Sequence, residues 1–176
     1  MKRIDAQRLR VPLGFVVAAT VLYFATPTRI SILAGLPFAL LGLVFRALAA
    51  GIIKKDSTLA TTGIYALARN PLYLGTALLA VGFAIMSADE IAATLIAVPF
   101  VLIYPRVILR EEEHLERLFP DEFRKYRASV PRFFPRLTLR PRLTFSFDQY
   151  LANREYNAAM GLIGALALFL AKWWVE

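Results

Sequence analysis

The chain of 176 residues contains no cysteine and only one histidine, His114. Without cysteine there is no disulfide-stapled secreted fold and no thiolate metal site. The lone His114 sits beside Glu111, Glu112 and Glu113 without a second histidine, and the expectation is that no metal is held. Acidic residues are also scarce, 13 against 21 Lys and Arg, for a net charge of +8. Several catalytic signatures are missing: the GxxxxGK[ST] phosphate loop, GxGxxG, HExxH and a GxSxG serine elbow.

In their place stand long apolar runs. Hydrophobic residues make up 58% of the chain and charged residues 19%, where a soluble domain has ~45–50% and ~25%. That composition excludes disorder. The expectation is one all-α membrane domain over residues 1–176 with about five spans.

The hydrocarbon layer of ~30 Å needs ~20 mostly apolar helical residues. The first candidate runs from Leu9 to Thr26, and an uncleaved span is preferred there over a signal peptide because no clear small-residue cleavage site follows. The second, Ile30 to Ile53, contains Arg46, which must snorkel or face protein. Its Gly35 and Ala39 permit close helix contact. The third, Pro71 to Ser87, opens with Asn70 as helix cap and Pro71 at the first helical position. The fourth extends from Glu90 to Phe119, ~45 Å at 1.5 Å per residue, and so projects beyond the bilayer. Pro99 and Pro105 predict kinks in it. The fifth runs from Tyr156 to Val175, with Trp173 and Trp174 at an interface. Its Gly161 and Ala165 suit either packing on the site or a homodimer. Residues 120–155 form the segment between the last two spans.

With five spans, 18 of the 21 basic residues fall on one side, which the positive-inside rule makes cytoplasmic, N-terminus included. They abut spans rather than forming a stripe with stacking aromatics, so the partner they predict is the lipid bilayer and not nucleic acid. Arg136 to Asp148, with Arg140 and Arg142, is expected to lie on the membrane or meet lipid phosphates.

Two polar clusters fall at the cytoplasmic ends of spans three and four. One runs Gly63-Ile64-Tyr65-Ala66-Leu67-Ala68-Arg69-Asn70-Pro71-Leu72-Tyr73-Leu74-Gly75. The other is Glu111-Glu112-Glu113-His114-Leu115, followed by Phe119, Phe123, Tyr126 and Val130-Pro131-Arg132-Phe133. At 3.6 residues per turn, Glu111 and Glu112 point ~100° apart and cannot serve one ligand group together. Jointly the clusters suit a zwitterion with a cationic centre: a carboxylate for an amino group, an arginine for a carboxylate, a tyrosine face for a sulfonium. S-adenosylmethionine is such a ligand.

The two stretches resemble the integral-membrane methyltransferases that include isoprenylcysteine carboxyl methyltransferase and the phospholipid N-methyltransferases. That pattern is G-x-Y-x-x-x-R-H-P-x-Y-x-G, then E-E-x-x-L-x-x-x-F-G-x-x-Y-x-x-Y-x-x-x-V-P-R. Gly63, Tyr65, Arg69, Pro71, Tyr73 and Gly75 match the first part. Glu111, Glu112, Leu115, Phe119, Tyr126, Val130, Pro131 and Arg132 match the second. The family's His is Asn70 here, its Gly is Pro120, and the first Tyr of its last pair is Phe123. Asn can donate and accept hydrogen bonds but cannot carry charge near neutral pH.

The resemblance implies methyl transfer from S-adenosylmethionine, leaving S-adenosylhomocysteine, to a lipophilic acceptor: a prenylcysteine carboxylate, a phospholipid amine or a small lipophilic molecule. It implies catalytic roles for Glu112, Arg69 and Asn70. It places Tyr65, Arg69, Asn70, Pro71, Tyr73, Gly75, Glu111, Glu112, Tyr126 and Arg132 at the cofactor, with Glu112 at its amino end. Two rival expectations are an NADPH-dependent sterol or enone reductase, which the Asn70-Pro71-Leu72-Tyr73 run fits loosely, and a non-enzymatic scaffold or transporter subunit.

Overall fold

A computed structural model describes residues 16–54, 57–136 and 145–175. The expected start of the first span at residues 9–15, the N-terminal basic residues, Lys55, Arg140 and Arg142 lie outside them. Among the described residues there are helices and turns and no strand. The order is α1 (residues 16–24), α2 (Arg29–Ala50), a 3₁₀ turn (Gly63–Ala66), α3 (Pro71–Ser87), α4 (Glu90–Leu118), α5 (Pro120–Ser129), α6 (Phe147–Ala152) and α7 (Tyr156–Val175).

Three of these, α2, α4 and α7, are long and apolar enough to cross a membrane, and α3 is a shorter apolar helix. Their outward faces carry Ile30, Leu33, Val101, Leu102, Ile163 and Leu168, all exposed. Apolar side chains facing outward over such lengths suit lipid, where each helix satisfies its own backbone. α4 is continuous through Pro99 and Pro105.

The start of α2 is fixed by a capping box. Thr28 Oγ1 accepts from the Ser31 amide at 3.0 Å, and Ser31 Oγ accepts from the Thr28 amide at 2.9 Å. The same corner is stitched to the α3–α4 turn: the Thr26 amide donates to the Ser87 carbonyl at 2.8 Å and Ser31 Oγ to the Met86 carbonyl at 3.1 Å. The α1–α2 and α3–α4 turns therefore share one end of the bundle. The end of α2, the start of α3 and the end of α4 share the other, which is where the two polar clusters meet.

α2 and α3 are antiparallel and pack backbone to backbone. Gly35 faces Gly82, and Gly42, seven residues later in α2, faces Gly75, seven residues earlier in α3. A Cβ on Gly42 would lie 2.5 Å from the Gly75 carbonyl oxygen, and one on Gly82 would lie 2.8 Å from the Ala39 nitrogen. Glycine here permits close approach, as small residues do between helices in lipid. Gly35→Ala is expected to force the pair apart, because its Cβ would strike the Gly82 carbonyl and Met86. Overpacking of this kind costs about 1–3 kcal/mol. A melting curve in detergent, set beside that of Gly161→Ala, checks this, since a Cβ on Gly161 meets nothing.

α7 buries Leu162 and Phe169 in the core and is tied by hydrogen bonds at its ends. Lys172 Nζ donates to the Leu22 and Tyr23 carbonyls at 2.8 and 2.9 Å. Below its foot, Asn153 Nδ2 donates to the Ala50 and Ile53 carbonyls at 2.8 and 3.0 Å. Arg46 faces protein: its Nε lies 2.6 Å from Glu155 Oε1.

Candidate functional site

Proline at position 71 starts α3 at its first residue, where the missing amide hydrogen would have been unpaired in any case. Asn70 holds the cap position, yet its side chain makes no cap hydrogen bond. This corrects the expectation of a capping side chain. A stronger acceptor competes for the amide: Asn70 Nδ2 donates to Glu112 Oε1 at 3.0 Å and to the Arg132 carbonyl at 3.1 Å.

The backbone before α3 is held by the segment after α5. The Arg69 amide donates to the Pro131 carbonyl at 2.9 Å, the Asn70 amide to the Arg132 carbonyl at 3.2 Å, and the Arg136 amide to the Leu67 carbonyl at 3.1 Å. This short ladder brings Arg69, Asn70 and Arg132 to one place. α5 is anchored below it by Phe123, Tyr126 and Val130, buried against Leu59, Leu115 and Phe119. Tyr126 Oη donates to the Tyr65 carbonyl at 2.7 Å, closing the second motif onto the first.

Glu112 is the hub. It is 5% exposed although it lies near the end of α4. Arg69 Nη2 is 3.1 Å from its Oε1. Arg132 reaches its Oε2 with Nε and Nη2, both at 3.0 Å. With Asn70, three side chains therefore converge on one carboxylate. Two guanidinium charges against one carboxylate leave the cluster with formal charge +1. Arg69 Nη1 is spent on the Arg127 carbonyl at 3.0 Å, while the buried Arg69 Nε has no hydrogen-bond partner among the described residues. A buried N–H left unpaired is costly, and such a group is where an additional acceptor binds best.

Glu111 points elsewhere, as the helical spacing requires. It accepts from Tyr73 Oη at 2.5 Å. The Tyr73 ring meets Tyr104 edge-on at 5.7 Å, and Tyr104 stacks on Phe100 at 4.4 Å.

A cavity of about 310 Å³ opens beside these groups. It falls in the range of small-molecule sites. Of the residues singled out from sequence, Tyr65, Arg69, Asn70, Glu111, Glu112 and Tyr126 line it. Arg132 braces Glu112 and lines a separate apolar groove of about 290 Å³ with Phe100, Tyr104, Pro105, Ile108, Leu109 and Phe133. Tyr73 reaches the cavity only through Glu111. Pro71 is buried in the first turn of α3, and Gly75 packs on Arg46. Burial pushes the Tyr65 phenol above its ordinary range, and the Glu111 charge adds to this. Burial likewise raises the Tyr126 phenol, opposed by Arg69 and assisted by Glu112. Both phenols stay protonated near neutral pH and so offer hydrogen bonds rather than charge.

Sequence reasoning did not single out the far wall, Lys54, Thr58, Leu59 and Ala60, which precedes the first motif. Nothing in its composition marks it. His114, weighed only as a metal ligand, also lines the cavity. No group of three His, Asp or Glu able to hold a metal occurs among the described residues.

A family model described as phospholipid methyltransferase matches residues 13–122. Among curated proteins, the chain is 37% identical over 116 residues to the nickel-cobalt-cadmium resistance protein NccN of Alcaligenes xylosoxydans xylosoxydans, covering 62% of this chain and 54% of that one. It is 41% identical over 86 residues to the cobalt-zinc-cadmium resistance protein CzcN of Cupriavidus metallidurans, 49% of this chain and 39% of that one. It is 31% identical over 94 residues to the protein-S-isoprenylcysteine O-methyltransferase of Schizosaccharomyces pombe, 53% of this chain and 40% of that one. The aligned residues span about half or less of each relative's length. No solved structure matches the chain.

Proposed function

The chain belongs to the phospholipid methyltransferase family, and from that premise we propose that it moves a methyl group from S-adenosylmethionine to a lipophilic acceptor at the membrane surface. The observation that carries this reading is the buried Arg69–Asn70–Glu112 cluster, braced from outside by the half-exposed Arg132, on the wall of a small-molecule-sized cavity.

The donor set fits the methyl donor. Its carboxylate suits the net positive cluster, where the unpartnered Arg69 Nε supplies a donor. Its ammonium and sulfonium suit Glu111, which accepts from the Tyr73 hydroxyl and, with two carboxylate oxygens, can accept from a ligand as well. Glu112 then acts mainly by organising Arg69, Asn70 and Arg132, a different emphasis from the amino-end role that the resemblance implies. Tyr65 and Tyr126 line the same wall as polar but uncharged surfaces.

S-adenosylmethionine supplies an activated methyl group when bound. The chain's own residues bind, orient and exclude water, and holding two reactants in line removes much of the barrier. A carboxylate acceptor needs no base, whereas an amine must lose a proton, a role that in this reading falls to Glu111. The apolar groove beside Arg132 supports a lipophilic acceptor arriving from the bilayer. The Lys and Arg asymmetry of the loops supports a cytoplasmic site. The metal-resistance names belong to two relatives. Around Glu112 stand two guanidiniums, which repel a divalent cation, and an amide that turns its N–H to the carboxylate.

Calorimetry on the purified chain in detergent tests the reading. S-adenosylhomocysteine is expected to bind with Kd on the order of 10 µM, a common range for enzyme ligands, and to raise the melting temperature, while NADPH does neither. A melting shift with NADPH alone would move the assignment to the reductase class.

A further inference from the structure

α7 begins beyond the matched residues 13–122 and contributes nothing to the cavity wall. The residue just before it nevertheless carries a buried charge. Glu155 is 7% exposed. Its Oε1 accepts from Arg46 Nε at 2.6 Å and its Oε2 from Arg46 Nη2 at 3.0 Å, a two-bond fork. Arg154, immediately before it, has φ of 54°, in the left-handed region that a residue with a Cβ rarely enters. That strained turn aims Glu155 at α2, and such strain persists only where surrounding structure enforces it.

A tie between α2 and α7 alone would need only this fork. Arg46 has a third arm. Its Nη1 donates to Thr76 Oγ1 on α3 at 2.7 Å. Thr76 Oγ1 donates in turn to the Leu72 carbonyl at 3.0 Å. Leu72 precedes Tyr73, whose hydroxyl holds Glu111. The Arg46 stem also fills the space a Cβ on Gly75 would take, 2.6 Å from its Cγ. One guanidinium therefore joins the α7 foot, the end of α2 and the first two turns of α3.

We propose that Glu155 is a positioning residue for the cavity: acting through Arg46 and Thr76, it fixes the first two turns of α3 and thereby the Tyr73–Glu111 pair. The inference rests on the methyl-transfer reading of the cavity. A guanidinium whose counter-charge is removed is left as an uncompensated charge, and its bond to Thr76 is expected to loosen with the loss of the fork that orients it. The C-terminal helix is thus part of the apparatus that shapes the ligand site.

The test uses the full chain in detergent with Thr76→Val, Glu155→Gln and Arg46→Met, singly and paired. Two readouts are S-adenosylhomocysteine affinity by calorimetry and hydrogen exchange of the α3 segment spanning residues 72–78. Thr76→Val leaves the ion pair intact and guards against simple misfolding. Thr76→Val and Glu155→Gln are each expected to weaken binding about threefold to tenfold, with the pair no worse than the stronger single, as coupled sites behave. Glu155→Gln is expected to speed exchange in α3 and to add nothing in an Arg46→Met background. Unchanged α3 exchange in Glu155→Gln overturns the proposal, as does unchanged affinity with Thr76→Val or a Glu155→Gln loss that persists without Arg46. If the wild-type chain binds no S-adenosylhomocysteine, the methyl-transfer reading fails, and the exchange readout still decides whether α7 is coupled to α3.

Discussion

Glu112→Ala is expected to abolish measurable S-adenosylhomocysteine binding, a loss of at least about 100-fold, and to lower the melting temperature in detergent. Removing the carboxylate strands three donors at once. Arg69 is almost wholly buried and loses a partner at 3.1 Å, Arg132 loses two bonds at 3.0 Å, and Asn70 loses one at 3.0 Å. Breaking a buried pair costs about 3–5 kcal/mol, because the remaining charge is left without compensation. Two repelling guanidiniums, Arg69 and Arg132, would then move apart and the cavity wall would open. Glu112→Gln separates the two consequences: it keeps the volume and one acceptor oxygen, so the protein stays folded while binding still falls. Calorimetry and a melting curve on both variants are the measurement. Normal affinity in Glu112→Ala would remove this carboxylate from the site.

Asn70→Asp is the second large effect. The change keeps size and shape and replaces two donors by an acceptor. The new oxygen would sit 3.0 Å from Glu112 Oε1 and 3.1 Å from the Arg132 carbonyl, both of which now accept from Asn70. The facing oxygens of the two carboxylates would repel where the amide now donates. The expected cost is about 3 kcal/mol, on the order of 10 °C in melting temperature for a chain of this size. Asn70→Ala, which removes the donor without adding an acceptor, is expected to lose less than half as much. The contrast between the two isolates the direction of the hydrogen bond. If Asp and Ala behave alike, the donor role of Asn70 is wrong.

The site's parts were legible in the sequence to different depths. Spacing at 100° per residue already separated Glu111 from Glu112, and the structure sends one to Tyr73 and the other to Arg69, Asn70 and Arg132. Helix starts were legible where local chemistry sets them, as at Pro71. The fate of the Asn70 side chain was not, because capping is a local preference and Glu112 is a distant, charged competitor. Arg46 stood out as a charge inside an apolar run, and its need for protein was readable. Its partner was not, since Glu155 is 109 positions away and belongs to no motif. The far wall, Lys54, Thr58, Leu59 and Ala60, was illegible for the same reason: ordinary residues become a wall only once α5 packs Phe123 and Tyr126 beside them. Gly35 and Ala39 marked α2 as able to pack closely, but that Gly35 meets Gly82 and Gly42 meets Gly75 was not legible.

Methyl transfer itself is the most direct test of the central claim. The purified chain, returned to vesicles with a membrane lipid extract, is given S-adenosylmethionine labelled at the transferred methyl. The label is expected to pass into organic-extractable product with the wild-type chain and not with Glu112→Ala. A folded wild-type chain that neither binds S-adenosylhomocysteine nor moves label into any lipophilic acceptor would contradict the assignment.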